Sequence, residues 1–579
     1  MISSIFPVSV YSQLEYTGIE PSCKQPLKSS DFKVTELFNA TDTTGVAALG
    51  RDSTLDEPVN MSLDAIYKQD GTVDYMNVYF VERGGKIKFY NGLTHSVTVI
   101  GKMKTFNKAD NSLTGIALHP NFKENKRVFF WFAPKRTKLD TNYYMRLSYF
   151  LVDSQNQIDF GSEKILINYE VNRVKYKHSG GPMTFDSKGD LWINFGNNSE
   201  DHNKGFQFSH LSQTDSIFSD EWGSSNTSSM RGSILRIHPD DSEKGYSIPQ
   251  GNFGEYWANQ FAIDSDPTND SWVADYRDTA KVLPEIYTKG HRSNFSIAVH
   301  PTKHWMTWGD VGFGPYDEFN LVAHPVFAGY PYFIGKDKRV DGQLEILGKL
   351  QDINYPKNNS PLKGKGVVNL PPSWQDALFG KKYSTVAMTG PFYAYNNKPE
   401  SKKFPPHFNN TWMTFNWNNK GNIWIHSIDE ATVKIDKSQR IDTTLFSDLS
   451  LRAPIQGVYG EDGAFYLLNY GGGAYNNRNN PGVVRVEYVG TCQPVVSTLS
   501  KQKRNLLIDV NSTGISIQEE GRHTVSLSNV AGQEVWSAVN SQPKSYQFSK
   551  VLPASLQKGV YITKIVTLSG VEARKVFVY

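Results

Sequence analysis

The chain is poor in cysteine, in long apolar runs and in helical periodicity, and each shortage removes a class of function. Cys23 and Cys492 are its two cysteines, so there is no zinc-type Cys/His spacing and no CxxCH haem attachment. No apolar run approaches the roughly 18 residues that cross a bilayer, and no transmembrane segment is expected. The stretch "MISSIFPVSVYSQ" is mildly apolar but lacks a charged n-region and a clear h-region, reading at most as the remnant of a signal peptide. Sixty-one Lys and Arg are scattered among 58 Asp and Glu with no basic helix, which argues against a nucleic-acid partner. A P-loop, a dinucleotide-type GxGxxG and an EF-hand loop are all missing. So is a persuasive carboxylate pair for a hydrolase.

What the chain does have is aromatic residues, 13% of the total, and 46 glycines, a mixture suited to many short strands and tight turns. A turn followed by a short alternating strand recurs at 76–90, 125–134, 186–196, 302–312, 418–429 and 460–471. Six units over roughly 470 residues give about 80 residues each, more than a minimal four-stranded blade, so long loops are expected on some. These features predict an all-β chain: a six-bladed β-propeller followed by a small C-terminal β-sandwich. Residues 1–54 read as an N-terminal extension leading into the propeller, 55–490 as the propeller, 491–507 as a linker and 508–579 as the sandwich. Cys23 and Cys492 lie near the ends of the main domain. Spacing leaves open a disulfide tying its termini or two buried free thiols.

Three places carry residue types suited to chemistry. In "HSGGPMTFDSKGDLWINFG", His178 stands on a loop before two glycines, where the backbone has room to approach a ligand. It reads as a general base, or as a loop histidine hydrogen-bonded to a neighbouring blade. In "PEIYTKGHRSNFSIAVHP", Arg292 reads as a bidentate grip on a carboxylate, or as a bridge between blades. In "WGDVGFGPYDEFNLV", Asp310 ends a strand before Gly312 and Gly314. Exposed carbonyls beside a carboxylate suit Ca²⁺, and Asp317 and Glu318 read as turn-capping or loop-pairing groups.

The order of "LTGIALHPNFKENKRVFFWF", "GGPMTF", "MRGSILRIHPDD", "GYSIPQGNFG", "PEIYTKGHR" and "GDVGFGPYDEFN" resembles the glucose/sorbosone dehydrogenase family from about residue 55 to 490. The resemblance implies a six-bladed quinoprotein that uses pyrroloquinoline quinone and Ca²⁺. It would oxidise an aldose or pyranose at the anomeric carbon and pass electrons to an external acceptor. It assigns His178 as base, Arg292, Asn294 and Arg452 as cofactor contacts, and Gly312, Phe313 and Asp310 as the calcium site. Four positions depart from the family pattern. Ser293-Asn294-Phe295 follows Arg292 where Asn-Pro is usual, and Lys381–Thr385 replaces an arginine-bearing segment. Gln456 stands in place of an Asp, and the "GDN"-type turn is Gly196-Asn197-Asn198. These departures support an alternative, a non-catalytic surface propeller binding carbohydrate or protein through its loops and aromatic rings. The tail, with "VSLSNVAGQEV" and "KGVYITKIV", resembles a type IX secretion sorting domain, which implies a secreted or cell-surface protein.

Overall fold

Short aromatic strands that alternate inward and outward can only be satisfied by sheets buried on both faces, and six such sheets stand side by side in the computed structural model. It describes residues 27–39, 55–136, 142–171, 173, 177–199, 220–263, 269–312, 317–330, 368–374, 378–379, 386–395, 403–417, 421–472 and 480–491. Beyond these it describes 508–510, 514–517, 523–529, 534–542, 544–547, 559–567 and 570–578. The chain divides into Met1–Pro494 and Val495–Tyr579.

In the first unit, β1 (Phe32–Asn39) precedes the blades. Blade one is β2 (Pro58–Tyr67), β3 (Val73–Glu82), β4 (Lys86–Asn91) and β5 (Ser96–Lys102). Blade two is β6 (Leu113–Leu118), β7 (Arg127–Phe132), β8 (Tyr144–Val152) and β9 (Ile158–Glu170). Blade three is β10 (Met183–Phe185), β11 (Leu191–Phe195) and β12 (Ser233–Pro239), with β13 (Tyr246–Ser247) and β14 (Ile286–Lys289) both paired to β12. Blade four is β15 (Ser296–Val299), β16 (Met306–Asp310), β17 (Glu318–Val322) and β18 (Leu378–Phe379). Blade five is β19 (Ala387–Tyr393), β20 (Thr411–Asn416), β21 (Ile423–Asp429) and β22 (Lys434–Arg440). Blade six is β23 (Pro454–Tyr459), β24 (Phe465–Asn469) and β25 (Gly482–Tyr488), and β1 supplies its fourth strand. The ring is therefore closed by a strand from the N-terminal stretch, Phe32 lying opposite Tyr488 and Asn39 opposite Gly482.

The first strands of the six blades pack in cyclic order, β2 beside β6, then β10, β15, β19 and β23, and back to β2. Side chains stitch these contacts. Asn60 Oδ1 accepts from Ile116 N at 2.7 Å, and Gln456 Oε1 accepts from Met61 N at 2.6 Å. Aromatic rings fill the gaps between blades. Trp131 meets Phe195 edge to face at 5.2 Å, and Phe38 stacks on Phe80 at 5.0 Å. Each such ring contributes about 1.5–3 kcal/mol by burial, which explains the aromatic richness of the strands. The fold is the expected all-β propeller.

Helices play a small part, but two of them, Phe253–Ile263 and Asn269–Arg277, form an insertion in blade three that the strand pattern did not announce. The signal was there at helical spacing. Phe253, Trp257 and Phe261 fall four apart, and Phe253 and Phe261 are buried. None of the helices among the described residues is long and apolar enough to cross a membrane.

Antiparallel pairing decides where the functional loops go. Within a blade the start of the first strand lies beside the end of the second, as Ser296 opposite Gly309 and Pro454 opposite Asn469 show. The segments that begin at His178, His291 and Arg452 therefore share one end of the ring with the turns that leave β11, β16 and β24. The tight turns 68–72 and 460–464 lie at the other end.

The second unit is two facing sheets. One is β26 (Ile508–Val510), β27 (Gly514–Ile517) and β30 (Lys544–Gln547). The other is β28 (His523–Asn529), β29 (Glu534–Asn540), β31 (Gly559–Thr567) and β32 (Gly570–Val578), in the order β29-β28-β31-β32. Val525 and Leu527 point into a core with Ile515, Ile517, Tyr546, Tyr561 and Ile565, while the alternating Ser526 and Ser528 face outward, as in a small sandwich.

Candidate active site

His178 sits at the lead-in to β10 with φ of +55°, a left-handed conformation unusual for a side-chain-bearing residue. Its main chain is fastened on two sides. The His178 N–H donates to Asp110 Oδ2 of blade two at 2.7 Å, and its carbonyl accepts from Asn198 N at 2.7 Å. Both of these bonds are made by the backbone, and the residue as a whole is 8% exposed.

The glycine pair that follows serves the protein rather than a ligand. A Cβ on Gly180 would lie 2.5 Å from the Asp110 carbonyl, and one on Gly181 would lie 2.6 Å from Asn194 Cβ. These residues must lack side chains so that the lead-in can wedge between blade two and β11. Gly181→Ala is accordingly expected to cost about 1–3 kcal/mol by overpacking. Differential scanning calorimetry reads this as a lowered melting temperature.

The turn leaving β11 joins the two main candidates. Asn198 N bonds to the His178 carbonyl and Asn197 N donates to the Arg292 carbonyl at 3.0 Å. Gly196 lies between those two carbonyls, since a Cβ there would meet His178 O at 2.4 Å and Arg292 O at 3.0 Å. His178 and Arg292, more than a hundred residues apart in sequence, are therefore held on either side of one three-residue turn. Lys289, fully buried, supports the same loop by donating to the carbonyls of Gly223, Ser229 and Arg231.

Arg292 rests on Asp310. The Asp310 carboxylate accepts from Arg292 N at 3.1 Å and from Ser293 N at 2.7 Å, and lies 3.6 Å from His291 Nδ1. The Arg292 guanidinium donates through Nη1 to the Val311 carbonyl at 2.8 Å, and its Nε–H is buried with no acceptor among the described residues. His291 is fully buried beside Thr288 and Trp308, and burial holds its pKa below the ordinary value, so it is a neutral core histidine. Asp317 accepts from Gly312 N at 3.1 Å, closing the loop after β16. Burial pushes its carboxyl up to about 7, against the pull of the Gly312 N–H and of Arg292.

The structure thus brings together His178, Arg292, Asp310 and Gly312. Asn294 lies beneath them, its amide donating to Ser233 O at 3.4 Å and its carbonyl accepting from Asn194 Nδ2 at 2.8 Å. Arg452 is at the same end of the ring but ion-paired with Glu36 of β1 in its own blade. Phe313, Lys381–Thr385, Cys23 and Cys492 lie outside the described residues. Among the described residues no three His, Cys, Asp or Glu side chains gather to hold a metal ion. Asp110 and the bridging role of Asn197 and Asn198 are not among the expectations drawn from the motifs. The run "KADNS" before β6 was the available signal for the first, because Asp and Asn cluster where a backbone N–H needs an acceptor.

Residues 69–252 match the Glucose / Sorbosone dehydrogenase family model. The matched segment carries His178 and the 196–198 turn and stops short of Arg292. The resemblance expected from the ordered motifs is thus found, and a sugar dehydrogenase is the class it supports. The chain is also similar in structure to a putative oxidoreductase (glucose dehydrogenase) of Thermus thermophilus, at 15% identity, TM-score 0.48, covering 79% of this chain and 99% of that one. It is similar as well to the apo-form soluble aldose sugar dehydrogenase of Escherichia coli, at 15% identity and TM-score 0.49, with 79% and 99% covered. For the PQQ-bound aldose sugar dehydrogenase of Streptomyces coelicolor the figures are 15%, 0.45, 79% and 98%.

Proposed function

We propose that the propeller oxidises an aldose or pyranose at its anomeric carbon, with His178 as general base. The observation that carries this reading is the seating of His178 and Arg292 on opposite sides of Gly196, at one end of the ring. His178 takes the proton of the anomeric hydroxyl at an imidazole nitrogen, and its doubly anchored backbone fixes the point from which the side chain projects. Arg292 orients an anionic cofactor, and its unmet buried Nε–H is a donor that fits one carboxylate oxygen. Pyrroloquinoline quinone, when bound, supplies the two-electron acceptor for the hydride leaving the sugar carbon. Calcium, when bound, would be held by main-chain oxygen at Gly312 and Phe313 beside Asp310, as the family resemblance implies. Electrons leave to an external acceptor. The C-terminal sandwich serves secretion or cell-surface attachment, in keeping with its resemblance to a type IX sorting domain.

Two observations favour the second reading, a surface propeller that binds carbohydrate or protein without catalysis. Arg452 is committed to Glu36, and Gln456 bonds on both sides of its amide to the Met61 backbone. Such scaffold contacts support a structural role for both. Titrating the purified chain with the quinone and Ca²⁺, followed by absorbance and then by dye reduction with aldoses, separates the readings. Saturable binding with aldose-dependent reduction supports the dehydrogenase. Absence of cofactor binding overturns it.

A further inference from the structure

The end of the ring opposite His178 holds a cleft of about 400 Å³ at the seam where blade six meets blade one. Its walls come from the β2–β3 turn, the start of β3, β4 with the turn after it, and the β23–β24 hairpin with β25. Arg485 forms the floor and is immobilised. Its Nη2 meets Asp462 at 2.7 Å, its Nε meets the Tyr466 hydroxyl at 3.0 Å, and Nη1 pairs with Glu487. On the facing wall the Tyr90 hydroxyl is hydrogen-bonded to His95 Nδ1 at 2.8 Å. His95 itself is exposed and held at φ of +54° at the turn tip. Lys68 and Asp74 form a pair at 3.9 Å on the rim, next to the half-buried Tyr75.

Charge decides what such a cleft accepts. Arg485 is answered by Asp462 and Glu487, and Lys68 by Asp74, so no unbalanced cation waits for an anion. What remains is a dense set of fixed donors and acceptors with phenol rings between them, in a volume within the range of small-ligand sites. That combination recognises a neutral, hydroxyl-rich ligand. Ring hydroxyls can bridge carboxylate, guanidinium and imidazole, while the apolar face of a sugar lies on an aromatic ring. We propose that this cleft is a second saccharide site, taking one or two units of a neutral oligosaccharide and docking the protein on a polysaccharide. It lies far along the strands from His178 and needs no redox chemistry, so it stands or falls apart from the dehydrogenase reading.

Calorimetric titration of the full chain, without cofactor, with cellobiose and maltotriose tests it, with glucuronate as the charged comparison. At least one neutral probe is expected to bind, with the dissociation constant raised about tenfold or more by Tyr75→Ala or His95→Gly and unchanged by His178→Asn. His95 is exposed and Tyr75 half-buried, and circular dichroism verifies that both variants fold. Dye reduction by aldoses is expected to be unaffected by either. The proposal is overturned if neither neutral probe binds, if His178→Asn removes the binding while the cleft variants keep it, or if glucuronate binds more tightly than both.

Discussion

Replacing His178 with asparagine lowers kcat for aldose-dependent dye reduction by about 10²–10⁴-fold, the range by which a general base accelerates proton transfer. Asparagine is the informative substitution because the backbone at 178 is left-handed, a conformation asparagine tolerates better than alanine does. The main-chain bonds to Asp110 and from Asn198 persist in the variant, so the fold and the position of Arg292 across Gly196 are kept. The loss then falls on kcat with little change in KM, since the imidazole acts on the transition state rather than on ground-state binding. Cofactor titration of the variant stays close to wild type. Activity within a factor of ten of the parent removes His178 from the role of base and leaves Asp317, whose carboxyl burial pushes up to about 7, as the next residue to substitute.

Asp310→Ala acts on the scaffold beneath the site. Asp310 answers the buried N–H of Arg292 and the part-buried N–H of Ser293, and both lose this acceptor when the carboxylate goes. Each charge-assisted bond contributes about 1.5–3 kcal/mol, so the two together make a loss on the order of 3–6 kcal/mol. For a ring of this size that corresponds to a fall in melting temperature of about 3–6 °C, read by calorimetry. Cofactor affinity drops as well, because the 291–294 segment no longer holds Arg292 against the 196–198 turn. Asp310→Asn keeps one acceptor oxygen and the side-chain shape, and is expected to fall between parent and alanine variant. A melting temperature unchanged to within a degree in Asp310→Ala shows that the segment is held by other contacts.

The ring was legible because each blade repeats one local pattern. The six turn-and-strand units fall one to a blade, although the unit at 76–90 covers β3 and β4 and the unit at 418–429 covers β21, where the others fall on the second strand. Pattern alone does not say which strand of a blade it marks, since every strand alternates. The fourth strand of blade six was not legible. "FKVTELFN" alternates well enough to be a strand, but its partner lies at the far end of the propeller, and a single sequence carries no record of such pairing. The site divides in the same way. His178, Arg292 and Asp310 stand out by residue type beside glycines and strand ends. Their connection through Gly196, Asn197 and Asn198 depends on backbone carbonyls, which every residue has and no motif marks. The glycines at 180 and 181 were visible as an anomaly, but what they make room for, Asp110 and Asn194, is visible only once the blades are assembled.

Closing the ring with β1 sets an order of events during synthesis. β1, made ahead of the blades, must wait, its hydrogen-bonding edge unmatched, until β25 leaves the ribosome, and only then does blade six acquire its outer layer and the circle its final seam. Pairing over so long a stretch of chain slows completion of the fold. The nascent protein is therefore most open to misassembly just before its last blade is finished.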